Sequence, residues 1–111
     1  MKTAVIINSE FLGAGSDELG KKLMGSYLRK IWALDNRPQK ILFYNSGVKL
    51  LTKDSEVLDA LTGLYENGVD LVACGTCATF FEIKEQIEIG RIGDMHEIAT
   101  SMLEFDKVIT V

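Results

Sequence analysis

No run of Lys and Arg in this chain is long enough to track a phosphate backbone, which argues against a nucleic-acid partner. Acidic residues outnumber basic ones by 16 to 12, so the net charge is −4 and an anionic membrane surface offers no attraction. No apolar run approaches the length of a membrane span. Met1-Lys2-Thr3 is followed by only four apolar residues before Asn8, too short for the apolar region of a secretory signal. The expected location is therefore cytoplasmic, where thiols stay reduced. There is no internal repeat, no low-complexity stretch and no linker. One histidine and two cysteines fall short of a metal ligand set within one chain, so no metal is expected. The single proline, Pro38, lies far in sequence from both cysteines and leaves no cis-Pro loop of the kind a dedicated thiol oxidoreductase carries.

What is present points to a single domain over residues 1–111. An apolar fraction of 47% is enough to build a real core. Residues 3–8 (T-A-V-I-I-N) read as a first buried strand and residues 9–15 as a glycine-bearing loop. Ser16 is placed to cap a helix, with Asp17 and Glu18 in its first turn. Leu19, Leu23, Tyr27 and Ile31 give that helix one apolar face to about Leu34. Gly20 and Gly25 inside it each cost roughly 1 kcal/mol against alanine and imply a close approach of the sheet or of another subunit.

Residues 40–44 form a second strand, 45–47 a tight polar turn and 48–51 a short segment. A helix over 55–67 follows, with Val57, Leu58, Leu61, Leu64 and Tyr65 on its apolar face and Gly68 as its C′ glycine. A third strand over 70–73 runs into the cysteines, and a third helix over 78–87 carries Phe80, Ile83 and Ile87. A short fourth strand falls within 89–92. Asp94 and Glu97 make a capping-box pattern for a last helix that buries Ile98, Met102 and Leu103 and ends near Phe105. Residues 107–111 close the chain as a final strand. Short apolar strands alternating with helices predict a parallel sheet covered on both faces.

In such a sheet the C-terminal strand ends share one edge, where ligands and chemistry gather. Three loops meet there: residues 8–16, 45–47 and 74–77. The last is Cys74-Gly75-Thr76-Cys77, and it contains both cysteines of the chain. A thiol at a helix start has its thiolate favoured, so a lowered pKa is expected. Backbone amides of the Cys74–Cys77 turn would stabilise that thiolate. A buried, inert Cys74 is the alternative reading, and Cys77 is harder to assign to packing alone. Asn8, Ser9 and the Gly13 to Ser16 stretch could receive an anion, as flavodoxin-like proteins hold a flavin phosphate, but an ordinary glycine loop is the preferred reading. Asn45, Ser46 and Gly47 read first as a turn whose amide or hydroxyl could donate to a thiolate or persulfide, and Gly75 and Thr76 complete the candidate binding set. His96 reads as a solvated helix residue.

The motifs D-E-L-G (17–20), F-Y-N-S-G-V-K-L (43–50), C-G-T-C (74–77) and the closing pattern over 99–109 resemble the DsrE/DsrF-like family over nearly the whole chain. The closest likeness is to the DsrE-like domain of YedF-type proteins associated with selenium metabolism. The resemblance implies a three-layer α/β/α sandwich with a five-stranded parallel sheet, and assembly into homo-oligomers. It implies that Cys74 holds the position that carries persulfide in sulfur-relay relatives, with Cys77 able to resolve it. No cofactor is implied. YedF-type proteins usually carry a TusA-like domain ahead of this one. This chain opens on the first strand, so the expectation is a stand-alone member or an excised domain, with a separate sulfur donor or acceptor protein.

Three functions compete at this stage. The leading one is a sulfur (or selenium) carrier, sulfurtransferase-like, that relays sulfane sulfur through Cys74 and Cys77. The others are a thiol-disulfide redox switch and a non-catalytic oligomeric module for a small anion, nucleotide or flavin.

Overall fold

The computed structural model describes residues 1–111 and forms a five-stranded, all-parallel sheet. The strands are β1 (Thr3–Ile7), β2 (Lys40–Phe43), β3 (Asp70–Cys74), β4 (Arg91–Gly93) and β5 (Lys107–Thr110), in the spatial order β4-β3-β2-β1-β5. The helices are α1 (Asp17–Ala33), α2 (Leu58–Glu66), α3 (Gly75–Phe80) and α4 (Met95–Glu104). From β1 through β4 the chain steps steadily in one direction, and then returns across the sheet to β5. Right-handed crossovers therefore put α1, α2 and α3 on one face and α4 on the other, which makes the three-layer sandwich.

β1, β2 and β3 sit at the centre and are almost wholly buried, as their unbroken apolar runs require. Their registers place Ile7 beside Phe43 and Phe43 beside Ala73, so the three strands end together. The edge strands β4 and β5 are short and largely exposed. No helix is long and apolar enough to cross a membrane.

The helix starts follow local chemistry. Ser16 Oγ accepts the Leu19 N–H, and Asp94 accepts the Glu97 N–H. The Glu97 side chain does not close the reciprocal half of a capping box; it turns to Arg91 and Lys40 instead. Gly68 follows α2 with φ of 90°, as its C′ role requires.

Four sequence expectations shift. On α1 the buried stripe is Gly20, Met24, Gly25 and Leu28, while Leu19 and Leu23 are exposed. The two stripes are neighbours on the helix, and the small one wins because the backbone of the preceding loop presses on it. A Cβ at Gly20 would lie 2.8 Å from the Phe11 Cβ. The second helix begins three residues later than the 55–67 reading. Ser55 Oγ takes the Val57 N–H in a local turn that competes with helix; Tyr65 is exposed.

The third helix stops at Phe80 rather than near Ile87, since Glu82 adopts a left-handed φ of 57°. Ile87 instead pairs with Thr52 in an antiparallel bridge. On α4, Ile98 and Ser101 are buried but Met102 and Leu103 are not. The Ser101 hydroxyl faces inward to meet Lys40 Nζ at 3.3 Å.

Candidate functional site

The aligned ends of β1, β2 and β3 bring the three expected loops together. Cys74 is the last residue of β3 and the N-cap of α3, and Cys77 lies one turn on. The two are free thiols that differ sharply in access: Cys74 is 1% exposed and Cys77 is half-buried. Cys74 belongs to the hydrophobic core cluster, while Cys77 packs against its rim.

The backbone amide that reaches Cys77 comes from the neighbouring strand's loop. After β2 the chain enters a 3-10 segment, Asn45–Leu51. Asn45 sits at its start with φ of 50°, and its N–H donates to Cys77 Sγ at 3.0 Å. Asn45 Oδ1 accepts the Ser46 N–H at 2.9 Å, the local bond that lets an asparagine hold left-handed backbone.

The expectation of a lowered thiol pKa is not met at Cys77. Burial pushes it up, the neighbouring Cys74 thiol adds to the rise, and the Asn45 N–H only partly offsets them. A helix of six residues has too little macrodipole to reverse that balance. Alkylation of Cys77 should therefore speed up as pH rises above neutral. Asn45→Val forfeits the left-handed conformation and should slow alkylation at fixed pH about tenfold, the worth of one hydrogen bond to a charged sulfur. Asn45→Gly keeps both backbone conformation and N–H and should react like the parent. A thiol-reactive chromophore followed by stopped flow checks the pair.

The other expected site residues are brought to the same edge, where most act as scaffold. Asn8 Nδ2 donates to Tyr44 Oη at 3.3 Å, Ser9 Oγ accepts the Phe11 N–H at 3.0 Å, and Ser46 Oγ accepts the Glu10 N–H at 3.3 Å. Gly47 is buried with its Cα facing β1, where an added Cβ would stand 2.3 Å from the Ile7 carbonyl oxygen. Gly75 abuts Ile92, and Thr76 is exposed beside Cys77 in sequence. The 13–16 stretch serves the helix it precedes, since Ser16 satisfies Leu19 and Leu12 N–H bonds the Gly20 carbonyl. His96 is exposed.

Sequence reasoning missed three residues that tie the loops together. Lys49 Nζ lies 4.5 Å from the Phe81 ring centroid and 3.6 Å from a Glu10 carboxylate oxygen. One cation thereby links the loop after β1, the 3-10 segment and the end of α3. The signal was present in F-Y-N-S-G-V-K-L, where Lys49 stands four positions after Asn45. A cleft of about 770 Å³ runs from Glu10 and Lys49 to the space between α1 and the approach to α2. Lys21 and Arg29 there pair with Glu56 and Asp59, and neither cysteine lines it.

The sequence matches the model of the DsrE/DsrF-like family over residues 1–111. No curated protein matches it. Among solved structures, the YchN protein of E. coli superposes with a TM-score of 0.70 at 21% identity, over 99% of this chain and 98% of its own. MTH1491 of Methanobacterium thermoautotrophicum, described as of unknown function, gives 0.74 at 21% identity over 99% and 98%. BT1422 of Bacteroides thetaiotaomicron, described likewise, gives 0.71 at 14% identity over 99% and 95%. At these identities the structures establish a shared fold.

Proposed function

Because the chain belongs to the DsrE/DsrF-like family, we propose that it is a sulfur carrier whose Cys74–Cys77 pair holds sulfane sulfur as a persulfide. One observation carries this reading. Two free thiols one helical turn apart stand at the C-terminal end of a central strand, one of them half-exposed with a backbone N–H on its sulfur. Loading is a sulfur transfer without net redox change. A thiolate attacks the outer sulfur of a donor persulfide, the donor S–S bond breaks, the donor leaves as thiolate, and the new S–S bond stays on the protein. An acceptor thiolate attacking the outer sulfur reverses these roles. Selenium in place of sulfur would follow the same steps.

Intact-mass spectrometry before and after a persulfide donor tests the proposal. The expected result is a gain of one sulfur per chain, absent from the Cys74→Ser, Cys77→Ser double variant. No gain from several donors, with only a loss of two hydrogens on mild oxidation, would leave a redox switch as the function. The placement of one thiol at the N-cap of α3 and the other at its third residue favours that second reading over a ligand-binding module.

Assembly into homo-oligomers and exchange with a donor or acceptor protein, such as a TusA-like domain, belong to the same proposal. Support comes from apolar side chains left in solvent: Phe80 is 80% exposed and Leu103 87%, with Met95 and Ile92 also open.

A further inference from the structure

We propose that Cys77 is the thiol that takes up the sulfur and that buried Cys74 is its resolving partner, which discharges the load as sulfide. The inference rests on the sulfur-carrier reading and reverses the roles that the family resemblance implies. Cys74 is 1% exposed and belongs to the core cluster, so a donor persulfide has no open approach to it. Cys77 is the half-open thiol. Cys74, the N-cap of the same helix, stands three residues before it on its buried side, and the Cys77 Sγ accepts the Asn45 N–H. A sulfur added to Cys77 must take the remaining direction, outward.

That arrangement sorts two reactions by which sulfur each attacker reaches. An external thiolate meets the outer sulfur and removes it, which returns Cys77 as a thiol. Cys74 meets only the inner sulfur, which is Cys77 Sγ itself. Its thiolate attacks there, the bond between inner and outer sulfur breaks, and the outer sulfur leaves as hydrosulfide with the electron pair. A Cys74–Cys77 disulfide remains. The two cysteines are oxidised by two electrons and the sulfane sulfur is reduced by two, so the step needs no other oxidant. A dithiol reductant, or two equivalents of a small thiol, then restores the pair. A load not claimed by an acceptor is thus released, and the protein is marked as spent by its own disulfide.

The test loads the protein with glutathione persulfide, removes the excess, and follows three readouts: peptide mapping of the added sulfur, free sulfide, and protein mass. The expected result places the sulfur on Cys77. One sulfide then appears per loaded chain together with loss of two hydrogens, and Cys74→Ala holds its load about tenfold longer. Sulfur mapped to Cys74, or Cys74→Ala releasing sulfide at the parent's rate, would overturn the assignment while leaving the carrier standing. No uptake by the parent protein would overturn both. Mapping on the parent decides the acceptor even if Cys74→Ala folds poorly.

Discussion

Gly47→Ala is expected to lower stability by about 3 kcal/mol, the upper range for overpacking a filled site. Gly47 lies where the 3-10 segment crosses the end of β1. A methyl group there would sit 2.3 Å from the Ile7 carbonyl oxygen and 3.4 Å from the Ser9 nitrogen, both backbone atoms at the C-terminal end of the central strand β1. Neither atom is on a side chain that can swing aside, so the 3-10 segment has to lift. Because Asn45 begins that segment, lifting it also draws the N–H away from Cys77 Sγ, and thiol reactivity should fall with stability. Urea denaturation should show a lower midpoint at unchanged slope, and alkylation of Cys77 should slow. Gly25→Ala is the contrasting case. There the added methyl meets the far end of the Arg29 side chain, 2.7 Å away, which can shift at the cost of its exposed pairing with Asp59, and a helix interior gains roughly 1 kcal/mol from losing a glycine. Equal losses from the two substitutions would show that close backbone approach is not what makes Gly47 necessary.

Glu97→Gln is expected to cost about 2 kcal/mol at neutral pH, with the cost fading away as pH falls below about 2. Hydrogen bonds from Arg91, and then from Lys40, hold the Glu97 carboxyl at about 2 against burial, which acts the other way. The ordinary value is 4.5, so the folded state is the stronger acid. Its contribution is complete above pH 4.5 and is lost as pH falls through about 2. The full shift corresponds to about 3 kcal/mol; solvent at the half-exposed Arg91 screens part of it. Lys40 Nζ bonds Glu97 at 3.0 Å, and Arg91 also grips Asp70 of β3 at 2.8 Å, so one carboxylate joins α4 to β2, β3 and β4. Parent and variant stability curves should converge between pH 4.5 and 2. Curves that stay parallel through that window would show that the carboxylate carries no net stabilisation.

Much of the architecture was legible because each strand is a short apolar run bounded by polar or glycine residues. The start of α1 at Ser16, that of α4 at Asp94 and the stop of α2 at Gly68 follow from side-chain and backbone chemistry that acts within one turn. Faces were less legible. The Leu19-Leu23-Tyr27-Ile31 ladder is a fair apolar stripe, yet α1 turns the adjacent Gly20-Met24-Leu28 stripe inward. Hydrophobicity alone does not reveal that the loop residues Phe11 and Leu12 need a residue without a side chain beneath them. The Phe80-Ile83-Ile87 spacing misled in the same way, since those residues serve a helix end, a turn and a bridge.

At the site, sequence by itself determined which residues could meet: parallel strands of similar length bring the loops after β1, β2 and β3 to one edge, so Cys74, Cys77, Asn45 and Ser46 had to be neighbours. Tertiary structure alone decided their relations. It buried Cys74 and left Cys77 open, although the two are equivalent in the sequence. It also supplied the amide on Cys77 from Asn45 rather than from the cysteine turn. Access to a thiol depends on what the rest of the chain stacks over it, and a hydrogen bond across 32 positions depends on the register of β2 and β3. Neither quantity is written in the local order of residues.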